Sequence, residues 1–160
     1  MKALVSLALV VLLFFQANSQ AKFSTKCLTI STSSVQTWSP GNIQGGVKSS
    51  GGLIYQIEAV LKKSGSLKFD SLLVDGINLP IEVMKGTERA YTEPFKKGES
   101  ITLLARQNKG ESNRKYSKEI SQLISSKKDA VAFISIWVSG KRYLHPVSEF
   151  KKKSGHSSNQ

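Results

Sequence analysis

Leu53-Ile54-Tyr55-Gln56-Ile57-Glu58-Ala59-Val60-Leu61 decides the fold class. Leu53, Tyr55, Ile57, Ala59 and Leu61 fall on one face; Ile54, Gln56, Glu58 and Val60 fall on the other, with the polar pair in the middle. The period is two, that of a strand with one face on a core, and not the 3.6 of a helix. Residues 62–66, Lys-Lys-Ser-Gly-Ser, follow as a polar turn, and residues 67–74 read as the next strand. Asp75-Gly76 then separates that strand from residues 77–83, where Ile77, Leu79, Ile81 and Val83 alternate. Asp-Gly between two alternating runs is a strong hairpin signal, because a type I′ turn needs positive φ at both central residues. Pro80 has no N–H to donate, which predicts that the second arm lies at a sheet edge.

The rest of the chain continues the pattern. Residues 23–35 read as one Ser/Thr-rich strand carrying Cys27, Leu28, Ile30 and Val35. Trp38-Ser39-Pro40-Gly41 is a turn signal, and residues 41–52 hold five glycines, a flexible loop. Residues 84–94 and 106–115 are polar and read as loops on either side of a strand at 101–105. Tyr116, Ile120, Leu123 and Ile124 fit one side of a short helix over 116–124, with Lys118, Glu119 and Gln122 turned to water. Residues 130–138 are apolar on both faces, the signature of a central buried strand. Ser139-Gly140-Lys141 turns the chain into a partner strand at 142–147. Residues 151–160 hold no apolar side chain and are expected to be a disordered basic tail.

Seven short strands joined by Gly, Ser and Asp turns, without long helices between them, exclude a βαβ architecture. They predict an all-β domain over residues 22–150. An antiparallel β-sandwich is expected and a β-barrel is the alternative. As a class this is similar to immunoglobulin-like exported domains, though the antibody-type cysteine pair is missing, since Cys27 is the one cysteine.

Residues 1–21 carry an export signal: Lys2, an apolar run from Ala3 to Phe15 broken only by Ser6, then small residues around Ala17 and Ser19. A run of that length falls short of the roughly 20 apolar residues a membrane-spanning helix needs. The rest is the size of one domain. The expected location is a bacterial periplasm or the exterior, with no transmembrane segment left after cleavage. A hydrophobic share of 39% and a charged share of 21% fit a globular domain and argue against disorder. One cysteine rules out a disulfide framework within the chain.

Motifs for chemistry are sparse. The glycine loop never completes a phosphate-cradling G-x-x-x-x-G-K-[S/T], and there is no G-x-S-x-G nucleophile elbow. Two histidines, His145 and His156, with one cysteine do not make a structural zinc site. No cofactor is implied. Cys27–His145 is a conceivable nucleophilic dyad, and Asp70 with Asp75 a conceivable acid–base pair, but nothing in the spacing joins either. Asp75 already has a turn role, and Asp70, opposite Phe69, is expected to face solvent. Phe69, Phe133, Trp137 and Tyr55 read as core.

Charge is the remaining signal. The formal net charge is +12, and the lysines come in groups: Lys62-Lys63, Lys96-Lys97, Lys127-Lys128 and Lys151-Lys152-Lys153. Turn and edge lysines keep a β protein soluble and block edge-to-edge pairing. Gathered at one end they would instead make a positive surface for phosphate or carboxylate polymers. The sequence predicts an exported, non-enzymatic protein with a binding or assembly role at the cell envelope, through a protein partner or an anionic polymer. The alternative is a cationic binder of lipopolysaccharide or acidic glycan through those lysines. A small hydrolase is a third reading. Intracellular nucleic acid is not an expected partner.

Overall fold

The computed structural model describes residues 21–39, 51–89, 94–109 and 114–153. The expected signal peptide up to residue 20, residues 41–50 of the expected glycine loop and the tail beyond residue 153 lie outside the described residues, and Gly52, expected in that loop, opens β3 instead. In chain order the elements are β1 (Lys22–Phe23), β2 (Leu28–Trp38), β3 (Gly52–Leu61), β4 (Leu67–Val74), β5 (Ile77–Lys85), β6 (Glu88–Arg89) and β7 (Ser100–Asn108). There follow β8 (Arg114–Lys115), the helix α1 (Lys118–Ser125), β9 (Ala132–Val138), β10 (Lys141–Val147) and β11 (Lys151–Lys153). The seven long strands are the seven read from sequence. The chain is mostly β, and its sheet curls into a half-barrel.

The strands are hydrogen-bonded in the order β1-β10-β9-β4-β5-β7-β3-β2-β11, with β6 and β8 paired to β5. The Asp75-Gly76 hairpin forms as read, with φ of 48° and 81°. The Tyr116 hydroxyl accepts a hydrogen bond from the Gly76 amide at 2.6 Å and ties this turn to the segment entering α1. Ser139-Gly140 makes a second turn with both φ positive, 49° and 74°.

β5 is interior and not an edge. Its first half, from Ile77 to Pro80, pairs with β4, and its second half, from Ile81 to Met84, pairs with β7. Pro80 sits where the pairing changes from one neighbour to the other. A missing donor is tolerated there for the same reason as at an edge: no continuous ladder has to pass through it.

The concave side holds the main core. Tyr55, Ile57, Ala59 and Leu61 from β3 meet Leu72 and Val74 from β4 and Ile134 and Ile136 from β9, together with Leu28, Ile101 and Leu103. A second cluster lies on the outer face of β4, β9 and β10, where α1 lays Ile120 over Leu73, Phe133 and Leu144. This is why β9 reads as apolar on both faces. α1 begins at Ser117, whose hydroxyl accepts from the Ile120 amide, and Lys118, Glu119 and Gln122 are exposed as expected. Full burial of each large side chain contributes about 1.5–3 kcal/mol, so both clusters weigh in the stability of the sheet.

Several segments differ from the sequence reading. Residues 23–35 are not one strand: the chain bends between Phe23 and Leu28, and β1 pairs parallel with β10 whereas β2 pairs with β3. Met84 and Lys85 continue β5 and form a hairpin with β6 around Gly86. Arg106 to Asn108 extend β7 because β3 offers partners as far as Gly52. Lys151–Lys153, expected to open a disordered tail, form β11, parallel to Ser34, Val35 and Gln36. Side-chain hydrophobicity has no part in that pairing. It follows from backbone hydrogen bonding and from anchors just before it: Ser33 Oγ donates to the Glu149 carbonyl at 2.6 Å, and Phe150 packs edge-on against Tyr55.

Candidate polyanion-binding site

Two turns are joined at one end of the sheet. The turn after β3 and the segment leading into β7 pair through Gly65 and Phe95, each amide donating to the other's carbonyl at 2.9 and 3.0 Å. The Gly98 amide donates to the Leu61 carbonyl, and the Lys97 amide to Ser64 Oγ at 2.9 Å. The bend before β2 joins the same end: the Lys62 amide donates to the Cys27 carbonyl at 2.9 Å, and Lys62 Nζ reaches the Thr25 carbonyl at 3.4 Å. Lys26, Lys62, Lys63, Lys96 and Lys97 therefore crowd one end, all exposed.

The platform beneath them is held by packing, hydrogen bonds and an ion pair. Phe95 is buried and packs edge-on against Phe69 at 5.6 Å, and Lys85 Nζ lies 4.8 Å from the Phe95 ring centre. Glu99 pins the turn: one carboxylate oxygen accepts from the Lys96 amide at 3.0 Å, and the other pairs with Lys85 Nζ at 2.9 Å. The Lys96 amide, aided by Lys85, holds the Glu99 carboxyl below the usual carboxylate range. Glu99 thus stays ionised and fixes the presentation of Lys96 and Lys97.

The other lysines read from sequence lie elsewhere. Lys127 Nζ stands 6.0 Å from the Phe23 ring, on the side of α1, next to the exposed Lys128. Lys151, Lys152 and Lys153 pair with residues six to eight positions along β2 from Leu28. At about 3.3 Å per residue that places them some 20–27 Å from the basic end. Lys26 was missed by the sequence reading, because it lies in a bend hidden within an apparently continuous Ser/Thr-rich strand.

His145 and Cys27 are both buried. Burial pushes the His145 pKa down to about 4; Lys62 acts in the same direction, against a hydrogen bond with the Ser24 backbone. Burial also pushes the Cys27 thiol up, despite Lys63 nearby. A thiolate–imidazolium pair needs the opposite pair of shifts, so neither group is tuned for the nucleophilic dyad. Asp70 does not simply face solvent. It occupies a bulge in β4, where Oδ2 accepts from Ser71 Oγ at 3.2 Å and from Ser135 Oγ at 3.3 Å and lies 3.5 Å from Arg142 Nη2. Among the described residues, no group of three His, Cys, Asp or Glu is placed to hold a metal ion. A cleft of about 380 Å³ opens at the far end of β3, lined by Thr37, Trp38, Gly52, Leu53, Gln107 and Lys109.

Trp137 departs from its sequence reading. Phe69, Phe133 and Tyr55 are buried as expected, but Trp137 is only partly buried and belongs to neither hydrophobic cluster.

In comparisons with known proteins, no family model, no curated protein and no solved structure matches the chain.

Proposed function

We propose that this is an exported, non-enzymatic β protein that binds anionic polymers of the cell envelope through its basic end. The observation that carries the reading is the pairing of Gly65 with Phe95, which sets Lys62-Lys63 beside Lys96-Lys97, with Lys26 alongside. Clustered, exposed lysines on hydrogen-bonded turns supply the sequence-independent attraction that phosphate and carboxylate polymers need. The reading also draws support from the sheet's ends. The path terminates in two short strands, β1 and the all-lysine β11, and short, lysine-bearing edge strands disfavour assembly by strand addition. For the fold itself we favour the barrel over the sandwich. β1 and β2 are consecutive in the chain, as are β10 and β11, yet each pair is divided between the two ends of the sheet, so the short links at residues 24–27 and 148–150 tie those ends together.

The test is binding of heparin, lipopolysaccharide and duplex DNA across a salt series. Wild type is compared with Lys62→Gln/Lys63→Gln/Lys96→Gln/Lys97→Gln and with Lys151→Gln/Lys152→Gln/Lys153→Gln. The first variant is expected to lose at least tenfold in affinity and to show a shallower salt dependence, roughly one unit of slope per lysine engaged. The second is expected to change little. Equal losses in the two variants would reduce the effect to net charge and overturn the assignment to this end. Preference among the three polymers identifies the bound anion.

A further inference from the structure

The outer face of the sheet beyond α1 carries a row of three side chains from three adjacent strands. Lys68 of β4 lies across from Trp137 of β9, and Trp137 lies across from Arg142 of β10. Cross-strand partners share a face, so the three stand side by side, cation, indole, cation. Trp137 is partly exposed and outside both cores, and Lys68 is exposed. The next row inward fixes the arginine. Arg142 Nε donates to the fully buried Ser135 Oγ at 2.8 Å and Nη2 lies 3.5 Å from Asp70, which leaves Nη1 outside these contacts.

We propose that this row is a binding subsite for an acidic polysaccharide that carries a carboxylate on alternate sugars. The indole face takes the apolar face of a neutral sugar, and Lys68 and Arg142 take the carboxylates on either side of it. The spacing supports this. Adjacent strands lie about 4.8 Å apart, close to the length of one pyranose residue, so the two cations are separated by the repeat of a chain charged at every second sugar. Arg142 suits a carboxylate because its planar guanidinium is held in place before binding. Asp70 offsets part of the local positive charge, which favours a ligand of spaced charges over a densely charged one. The subsite adjoins the basic end, since Lys68 follows directly on the turn that carries Lys62 and Lys63, and it is distinguished from that end by resting on strand residues of the outer face.

The test uses the full chain with Trp38→Phe, so that Trp137 is the one tryptophan reporting fluorescence. The probes are hyaluronan oligosaccharides, uncharged chitin oligosaccharides and single-stranded DNA. Hyaluronan is expected to shift and saturate the Trp137 emission, and chitin to bind at least tenfold more weakly. Calorimetry on the unmodified chain is expected to give the same affinity, reduced at least tenfold by Trp137→Ala and severalfold by Lys68→Ala. Trp137→Phe, which keeps a ring on the sheet, is expected to retain most of the binding and covers the case in which the alanine variant does not fold. An emission that hyaluronan leaves unchanged overturns the proposal, as does equal binding of chitin or tighter binding of DNA. Hyaluronan binding that disappears with the four basic-end lysines but survives Trp137→Ala overturns it too, while leaving the basic end in place.

Discussion

The two halves of the sheet are built from similar strands but differ in how many faces they bury. In the β2–β3–β7 half, Tyr55, Ile57, Ala59 and Leu61 point into the core. The other side of β3 carries Gln56 and Glu58, with Glu58 accepting hydrogen bonds from Thr32 Oγ1 and Gln56 Nε2. In the β4–β9–β10 half both sides are apolar, because α1 covers Leu73, Phe133 and Leu144. One short helix, with Phe23 of β1 beside it, therefore accounts for the change from an alternating to a continuous hydrophobic pattern. It also sets where the doubly buried region ends. Past the reach of α1 the same outer face turns polar, with Ser71, Ser135 and Arg142, and then exposes part of Trp137.

The largest effect that would sharpen this contrast comes from the covered outer face. Phe133 is 1% exposed, packs against Phe23 at 5.5 Å and lies beneath Ile120. Phe133→Ala is expected to cost about 3–5 kcal/mol in chemical denaturation, as much as a truncation in the main core. A loss below about 1 kcal/mol would mean that α1 leaves the sheet readily and that the outer cluster adds little.

The inner side of the same half makes a pH prediction. His145 lies across from Ile134 and shares its core-facing side. Its pKa is about 4 in the folded protein against an ordinary 6.5. The unfolded chain therefore takes up the proton first as pH falls. Stability is expected to be full above pH 6.5, to decline from 6.5 to 4, and to lose roughly 3 kcal/mol in all. His145→Gln should flatten the profile over that window. An unchanged slope in that variant would place the titration on another group and mean that water reaches this side of β10.

Next in size is the tie between the β4–β5 hairpin and the segment entering α1. Tyr116→Phe removes the hydroxyl that accepts from the Gly76 amide at 2.6 Å. The expected cost is about 1 kcal/mol, with faster hydrogen exchange at Gly76. A change in stability without a change at Gly76 would place the effect in ring packing instead.

Legibility in the sequence follows the same divide. Strands with one buried face, such as β3, announce themselves by alternation, and β9 does so by continuous apolarity between turn residues. Asp75-Gly76 and Ser139-Gly140 were readable because positive φ restricts the residues that can sit there. What escaped depends on the backbone or on distant neighbours. β11 has three lysines and pairs through its main chain alone. The bend at residues 24–27 leaves no mark in a run of Ser and Thr. Pro80 was readable as a break in a ladder, but the sequence does not distinguish an edge from a change of partner. The basic end needed the Gly65–Phe95 pairing, a contact across 30 residues that no local pattern encodes. Trp137 sits in an apolar strand, and its partial exposure depends on where α1 stops.

The smallest effect tests the polar side of the contrast. Glu58 is exposed and makes its bonds to Thr32 Oγ1 and Gln56 Nε2 within reach of water, so each is exchanged for a hydrogen bond to solvent on its loss. Glu58→Ala is expected to change stability by no more than about 0.5 kcal/mol. The same variant raises the net charge by one. It should strengthen polyanion binding slightly without altering the salt slope, because no new lysine engages the polymer. A cost well above 1 kcal/mol would mean that the outer face of β3 is covered in solution. The sheet would then bury both faces in both halves, and the contrast between them would disappear.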